Sequence, residues 1–195
     1  MVRHGETAWS RTGQHTGRTD IPLTERGRAQ AHCVGEMLRD HLFDLVLTSP
    51  LSRAATTALL AGFGRGVVAC EDLREWDYGD YEGRTTAEIR RKVPGWTVWT
   101  HPCPGGETAE AVGARADRVI KIVRAAGGLV ALFGHGHQLR VLAARWCGLA
   151  PNDGRLLSLD PATVSVLGYE HETSVIRRWN EPCAEGASAP GVSRD

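Results

Sequence analysis

The chain has 195 residues with 23 basic and 23 acidic side chains, and this balance argues against a nucleic-acid-binding surface or a membrane-attracted face. The length suits one domain with a full core, and no apolar run approaches the ~20 residues of a membrane span. Five scattered cysteines (Cys33, Cys70, Cys103, Cys147, Cys183) include no C-x-x-C, which predicts free thiols in a reducing cytoplasm and no disulfide framework.

The first stretch, Met1-Val2-Arg3-His4-Gly5-Glu6-Thr7, reads as the end of a strand turning into a loop. Ligands of open α/β sheets lie beyond the carboxyl ends of the strands. A guanidinium there can clamp a phosphoryl group, an imidazole can attack phosphorus, and a glycine lets the backbone come close. Met1 and Val2 are little chain for a strand, so the first strand is either unusually short or begins upstream. No signal peptide is expected ahead of Arg3.

Arg11 to Leu23 is polar and turn-rich (Gly13, Gly17, Asp20, Pro22), which predicts a loop over the first strand's end. Thr24 is a candidate N-cap for a helix over 24–41, whose buried face is Ala31, Val34, Leu38 and Leu42. Leu45-Val46-Leu47-Thr48 is a strand covered on both faces. Ser49-Pro50 offers an N-cap and a first-turn proline for a second helix reaching Gly62, with Arg53 in its first turn. Val67 to Cys70 is a third strand.

Residues 72–83 are aromatic, acidic and broken by glycine, a composition of loops that carry function. A short helix over 85–93 and a Trp/Pro/Gly-rich connection follow. The longest helix spans 107–126, with Val112, Ala116, Val119, Ile120 and Val123 as its stripe and Gly127-Gly128 as its stop. Leu129 to Phe133 is the clearest buried strand. It runs into Gly134-His135-Gly136-His137 and a helix over 137–147. Strands near 163–168 and 174–179 close the sheet. From Glu181 the Ala/Gly/Ser/Pro-rich chain reads as a flexible tail. The expected architecture is a domain over 1–180, a three-layer α/β/α sandwich around a mostly parallel sheet, followed by a tail over 181–195.

Three strand ends thus deliver Arg3-His4, Arg53 and His135 to one edge, and the ligand that suits them is a phosphate, with helix N-termini after Ser49 and Gly136 adding amide donors. The motifs Arg3-His4-Gly5-Glu6-Thr7, Leu23-Thr24-x-x-Gly27, Ser49-Pro50-Leu51-x-Arg53-Ala54, Glu75-x-x-x-Gly79-x-x-Glu82-Gly83, Gly105-Gly106-Glu107-Thr108 and Gly134-His135-Gly136 together resemble the histidine phosphatase superfamily, also called phosphoglycerate-mutase-like. They stand in that family's order across nearly the whole chain. The loop 11–20, the run 75–83 and His135-Gly136-His137-x-Leu139-Arg140 are most similar to bacterial acid phosphatases and sedoheptulose bisphosphatases of the family.

The resemblance implies a metal-independent, cofactor-free phosphatase acting on a small phosphorylated metabolite, a sugar phosphate or bisphosphate. His4 would be the nucleophile, Arg3, Arg53 and His135 would hold the phosphoryl oxygens, and Glu75 would be the general acid and base. Ser10 and Thr16 could donate hydroxyls to the phosphate, Gly136 a backbone amide, and Trp76, Trp99 and His101 could wall the pocket; ordinary loop or core roles suit the same residues. Neighbouring Asp72, Asp77, Asp80 and Glu82 make a solvated acidic loop an alternative reading of Glu75. His137 two residues after His135 suggests a metal pair only formally, since no cysteine or carboxylate cluster accompanies it. His32 and His41 read as surface residues. For His4 to attack it must be neutral, so its other nitrogen is expected to donate to a backbone carbonyl.

Two alternatives stand beside the phosphatase. A phosphoglycerate mutase would use the same pocket. However, Ser10 replaces the mutases' asparagine, Thr100 and His101 follow Trp99 in place of paired arginines, and the segment 104–108 replaces a long insertion. A catalytically inactive phospho-ligand binder would have no need of Glu75. The near-absence of lysine (Lys92 and Lys121 only) points to a GC-rich, bacterial source, and a homodimer is the family's common assembly.

Overall fold

In the computed structural model, which describes residues 1–183, alternation of side chains along the strands fixes the layers. Val46 of β2 (Leu45–Thr48) and Ala131 and Phe133 of β4 (Val130–Gly134) point to one face of the sheet, Leu47 and Leu132 to the other. Successive residues of a strand face opposite sides, so a sheet apolar on both needs a helical layer on each. One layer is α5 (Ala109–Ala126) and α6 (Gly136–Trp146), which bury Val112, Ala116, Val119, Ile120, Val141 and Leu142. The other is α2 (Glu25–Leu38), α3 (Ser52–Ala58) and a π-helical turn (Leu59–Phe63), burying Val34, Leu38, Ala58 and Ala61.

The sheet has six strands in the order β3-β2-β4-β1-β5-β6, with β3 at Val67–Ala69, β1 at Val2–Arg3, β5 at Thr163–Glu170 and β6 at Thr173–Pro182. The first four are mutually parallel, while β5 runs antiparallel to both β1 and β6. The expected α/β sandwich is therefore observed, with a mixed sheet. β1 is only two residues long, yet it sits between β4 and β5.

One of the two helix starts follows the cap read from the sequence, and the longest helix stops where expected. The Thr24 hydroxyl accepts the Gly27 amide at 3.0 Å, and Gly127 ends α5 in the left-handed conformation. Ser49 is an exception. The helix begins at Ser52, whose amide donates instead to the Asp20 carboxylate at 3.0 Å, on a loop 32 residues earlier. The predicted loop over 11–23 begins with a short helix, α1 (Ala8–Thr12), nucleated by a reciprocal cap between Thr7 and Ser10. It buries nothing, so no hydrophobic period announced it.

The 72–83 segment is irregular but not exposed: Leu73, Trp76 and Tyr78 are fully buried. Its Gly79 has φ +52, and a Cβ there would lie 2.1 Å from the Pro104 carbonyl oxygen, so only glycine lets this loop lock against the 104–107 turn. The short α4 (Thr86–Arg90) follows.

Two expectations are corrected at the C-terminal side. Glu181 and Pro182 belong to β6, so the ordered chain extends past the expected boundary; the remainder of the expected tail, 184–195, lies outside the described residues. Cys33 of α2 and Cys183 after β6 are joined in a disulfide, whereas Cys70, Cys103 and Cys147 are free. Their separation of 150 residues hid the pairing, because proximity that arises only on folding leaves no spacing signature.

Candidate active site

Strand register gathers the site. Arg3 of β1 pairs with Gly134 of β4, and the His4 amide donates to the Gly134 carbonyl at 3.0 Å, so His4 and His135 leave neighbouring parallel strands side by side. Their rings stand 5.1 Å apart, edge to face. β2 delivers Ser49, whose amide bonds the Phe133 carbonyl, and the first turn of α3 then places Arg53 underneath, wholly buried.

The hydrogen bonds set each protonation state. His4 Nδ1 lies 2.7 Å from the Gly5 carbonyl oxygen, which can only accept. Nδ1 therefore carries the proton and Nε2 keeps its lone pair. Burial, then the nearby Arg53 and Arg3 charges, hold His4 well below the usual imidazole range, so it is neutral. His135 is kept neutral by burial, Arg53 and His4. Its Nδ1 accepts from Arg53 Nε at 3.2 Å, which leaves Nε2–H for the Ser49 hydroxyl at 2.8 Å.

The two guanidiniums differ. Arg53 donates to the carbonyls of Thr16, Gly17 and Thr19 as well as to His135, which ties the 16–19 loop over the strand ends. Arg3 donates one Nη1 bond to the Leu159 carbonyl, but its Nε is buried with no partner among the described residues. A buried N–H of an always-charged group is costly to leave unpaired, so an anionic acceptor suits this position. Gly136 lies against Arg3, where a Cβ would approach the guanidinium carbon to 3.3 Å.

Glu75, also buried, faces the first turn of α6. Its Oε1 accepts the amides of Trp76 (2.8 Å) and Gln138 (2.9 Å), and its Oε2 accepts that of His137 (3.0 Å). The carboxylate thus takes up otherwise orphaned donors at the positive end of a helix dipole. Among the described residues no group of three or more His, Cys, Asp or Glu side chains could hold a metal ion.

The remaining sequence candidates divide. The Ser10 hydroxyl accepts from the Thr7 amide and donates to the Thr7 carbonyl, so it caps α1. Thr16 reaches the site through its carbonyl, which Arg53 takes, while its hydroxyl bonds Gln14. Trp76 is core, with Nε1 on the Glu107 carbonyl. His101 pairs within its own turn, with Thr97 and Thr100. Trp99 is half-buried, 5.1 Å from the His137 ring and beneath the Arg140 guanidinium. His32 and His41 are exposed, as expected of surface residues.

The sequence reading missed Ser49 as a partner of His135, and the cluster of His15, Tyr78 and His137 beside Glu75. Burial pushes His15 down to about 4 and Tyr78 well up, so both are uncharged near neutrality. The available signals were the aromatic residues Trp76, Tyr78 and Tyr81 in one loop and the second histidine, His137, two positions after His135.

A family model described as histidine phosphatase superfamily (branch 1) matches residues 1–182. The chain is 41% identical to an acid phosphatase of Mycobacterium tuberculosis over 175 residues, 88% of this chain and 86% of that protein. It is 39% identical to sedoheptulose 1,7-bisphosphatase of Saccharomyces cerevisiae over 181 residues, 76% and 67% of the respective chains. The solved structure of the open reading frame Rv3214 of M. tuberculosis superposes with a TM-score of 0.89 at 39% identity, covering 93% of this chain and 95% of that one. With its two histidines, two arginines and one carboxylate gathered at the strand ends and this likeness running through nearly its whole described length, the chain belongs to branch 1 of the histidine phosphatase superfamily.

Proposed function

We propose that the protein hydrolyses a small phosphate monoester, a sugar phosphate or bisphosphate, through a phosphohistidine on His4. The observation that carries this reading is the neutral His4 with Nδ1 tied to Gly5 and Nε2 free, next to the unpartnered Nε–H of Arg3. Nε2 attacks phosphorus in line, the bond from phosphorus to the ester oxygen breaks, and Glu75, which must enter this step in its protonated form, gives its proton to the departing oxygen. A water then enters; Glu75 takes its proton, the new P–O bond forms, and the N–P bond returns its electrons to His4. Arg3 and Arg53 stabilise charge on the equatorial oxygens, and His135 orients Arg53 from beside the nucleophile. Two guanidiniums supply the positive charge that such transfers need, so the reaction has no call on a metal.

The superfamily also holds mutases. Against that activity, Thr100 and His101, which follow Trp99, are bonded to each other and offer no guanidinium for a substrate carboxylate. A phosphate-binding protein without turnover would have no use for a proton donor there, and Glu75 would serve it only as the cap of α6. Incubation with p-nitrophenyl phosphate tests the reading. Turnover that His4→Ala abolishes supports it; phosphate binding without turnover contradicts it.

A further inference from the structure

Tyr78 and His137 are joined by a hydrogen bond of 2.6 Å between the phenol oxygen and Nδ1. Both groups are uncharged: burial raises the phenol well above its usual range and holds the imidazole well below its own. The direction of this bond follows from the inventory of partners. The Tyr78 hydroxyl is buried and has no other acceptor among the described residues, and a buried O–H seeks one. It therefore donates to Nδ1, which fixes His137 as the Nε2–H tautomer. Nε2 itself makes no hydrogen bond among the described residues and is not sealed from solvent.

That donor belongs to a residue in direct contact with Glu75. The His137 amide holds Glu75 at 3.0 Å, so the imidazole springs from the residue that anchors the acid. Its ring lies 5.1 Å from Trp99, whose indole is covered by Arg140 at 4.6 Å. Arg140 is in turn fixed by the carbonyls of Gly154 and Arg155. Beside the acid there is thus one oriented N–H donor next to an immobilised indole.

We propose that His137 is a specificity-determining residue, which donates Nε2–H to an oxygen of the leaving group, and that Tyr78 is the positioning residue that keeps the donor in that tautomer. The matching leaving group is a polyhydroxylated one, with an oxygen close to the ester and a C–H face for the indole. This assignment rests on the phosphatase reading above and specifies the substrate side that the reading leaves open.

The test compares kcat/KM for ribose 5-phosphate and fructose 1,6-bisphosphate with that for phenyl phosphate, whose leaving group has no second oxygen. Wild-type enzyme should prefer the sugar esters. His137→Ala should reduce that preference by about 10–100-fold, mainly through KM for the sugar esters, as expected for one lost hydrogen bond to a substrate. Tyr78→Phe should shift it in the same direction by less. In wild-type protein, ¹⁵N resonances of His137 should show Nε2 protonated and Nδ1 bare, and Tyr78→Phe should mix the two tautomers. A wild-type Nδ1–H tautomer overturns the assignment, as does an equal loss on all three esters in His137→Ala. Failure of the wild type to hydrolyse any ester overturns the phosphatase reading and the assignment with it; hydrolysis with an unchanged preference overturns the assignment alone.

Discussion

At the carboxyl ends of β1, β2 and β4 the chain buries His4, Arg53, Glu75 and His135, each held by directional hydrogen bonds. At the other ends of the same strands it leaves an apolar cavity of about 340 Å³ lined by Met37, Phe43, Ile120, Trp146, Val164 and Leu167 among others. The polar end carries desolvated charge that only hydrogen bonds and a ligand can offset, whereas the apolar end gains from burial with no geometric demand. Rate and stability should therefore separate along the strands. Substitutions at the polar end should change catalysis far more than folding, and those at the apolar end the reverse.

The largest expected effect is at the proposed nucleophile, His4. His4→Gln should lower kcat on p-nitrophenyl phosphate by about 10⁴-fold or more, with a melting temperature close to that of the wild type. A large drop in melting temperature would show that His4 is a packing residue. Glu75→Gln comes next, at about 10²–10⁴-fold in kcat for a lost acid and base. This variant also sharpens the comparison, because an amide has one carbonyl oxygen for the three backbone N–H groups that Glu75 accepts. Denaturant unfolding should therefore show a loss of about 1–3 kcal/mol.

The apolar end should answer in the opposite way. Ile120→Ala removes a buried side chain beside the cavity and should cost about 2–5 kcal/mol in urea unfolding, with kcat unaltered; a loss of kcat without a loss of stability would break the contrast. The remaining effect concerns pH. His4, His15, His135 and His137 all titrate below their usual range because they are buried. Below pH ~6.5 the unfolded chain binds protons that the folded chain refuses, so stability falls as pH is lowered and levels off above that value. Urea midpoints at pH 7.5 and pH 5 should differ in that direction, and a higher midpoint at pH 5 would contradict it.

How much of this was readable in advance depends on how local each feature is. The strands Leu45–Thr48 and Val130–Gly134 announce themselves by unbroken apolar runs, and Arg3, His4, Arg53 and His135 follow because each lies within a few residues of a strand end. Glu75 could be placed in its loop, but its seat on the α6 amides could not, since those donors are 62 and 63 residues away. The same distance problem explains why Asp20 replaces Ser49 as the cap of α3, and why Cys33 and Cys183 were read as free. Ser10 and Trp76 were misleading for another reason. A hydroxyl near a phosphate motif and an indole near a pocket are ambiguous in sequence, and here the α1 cap and the core claim them. His137 and Tyr78 were visible as residue types, but only their contact reveals a fixed tautomer.

The most direct measurement is an alkaline SDS quench of the enzyme after millisecond mixing with a ³²P-labelled monoester, followed by peptide mapping at alkaline pH. The account predicts a transient label that survives alkali, is lost in acid, and maps to the peptide containing His4. Label on any other residue, or wild-type turnover with no phosphoryl-enzyme on His4 at any mixing time, would contradict it.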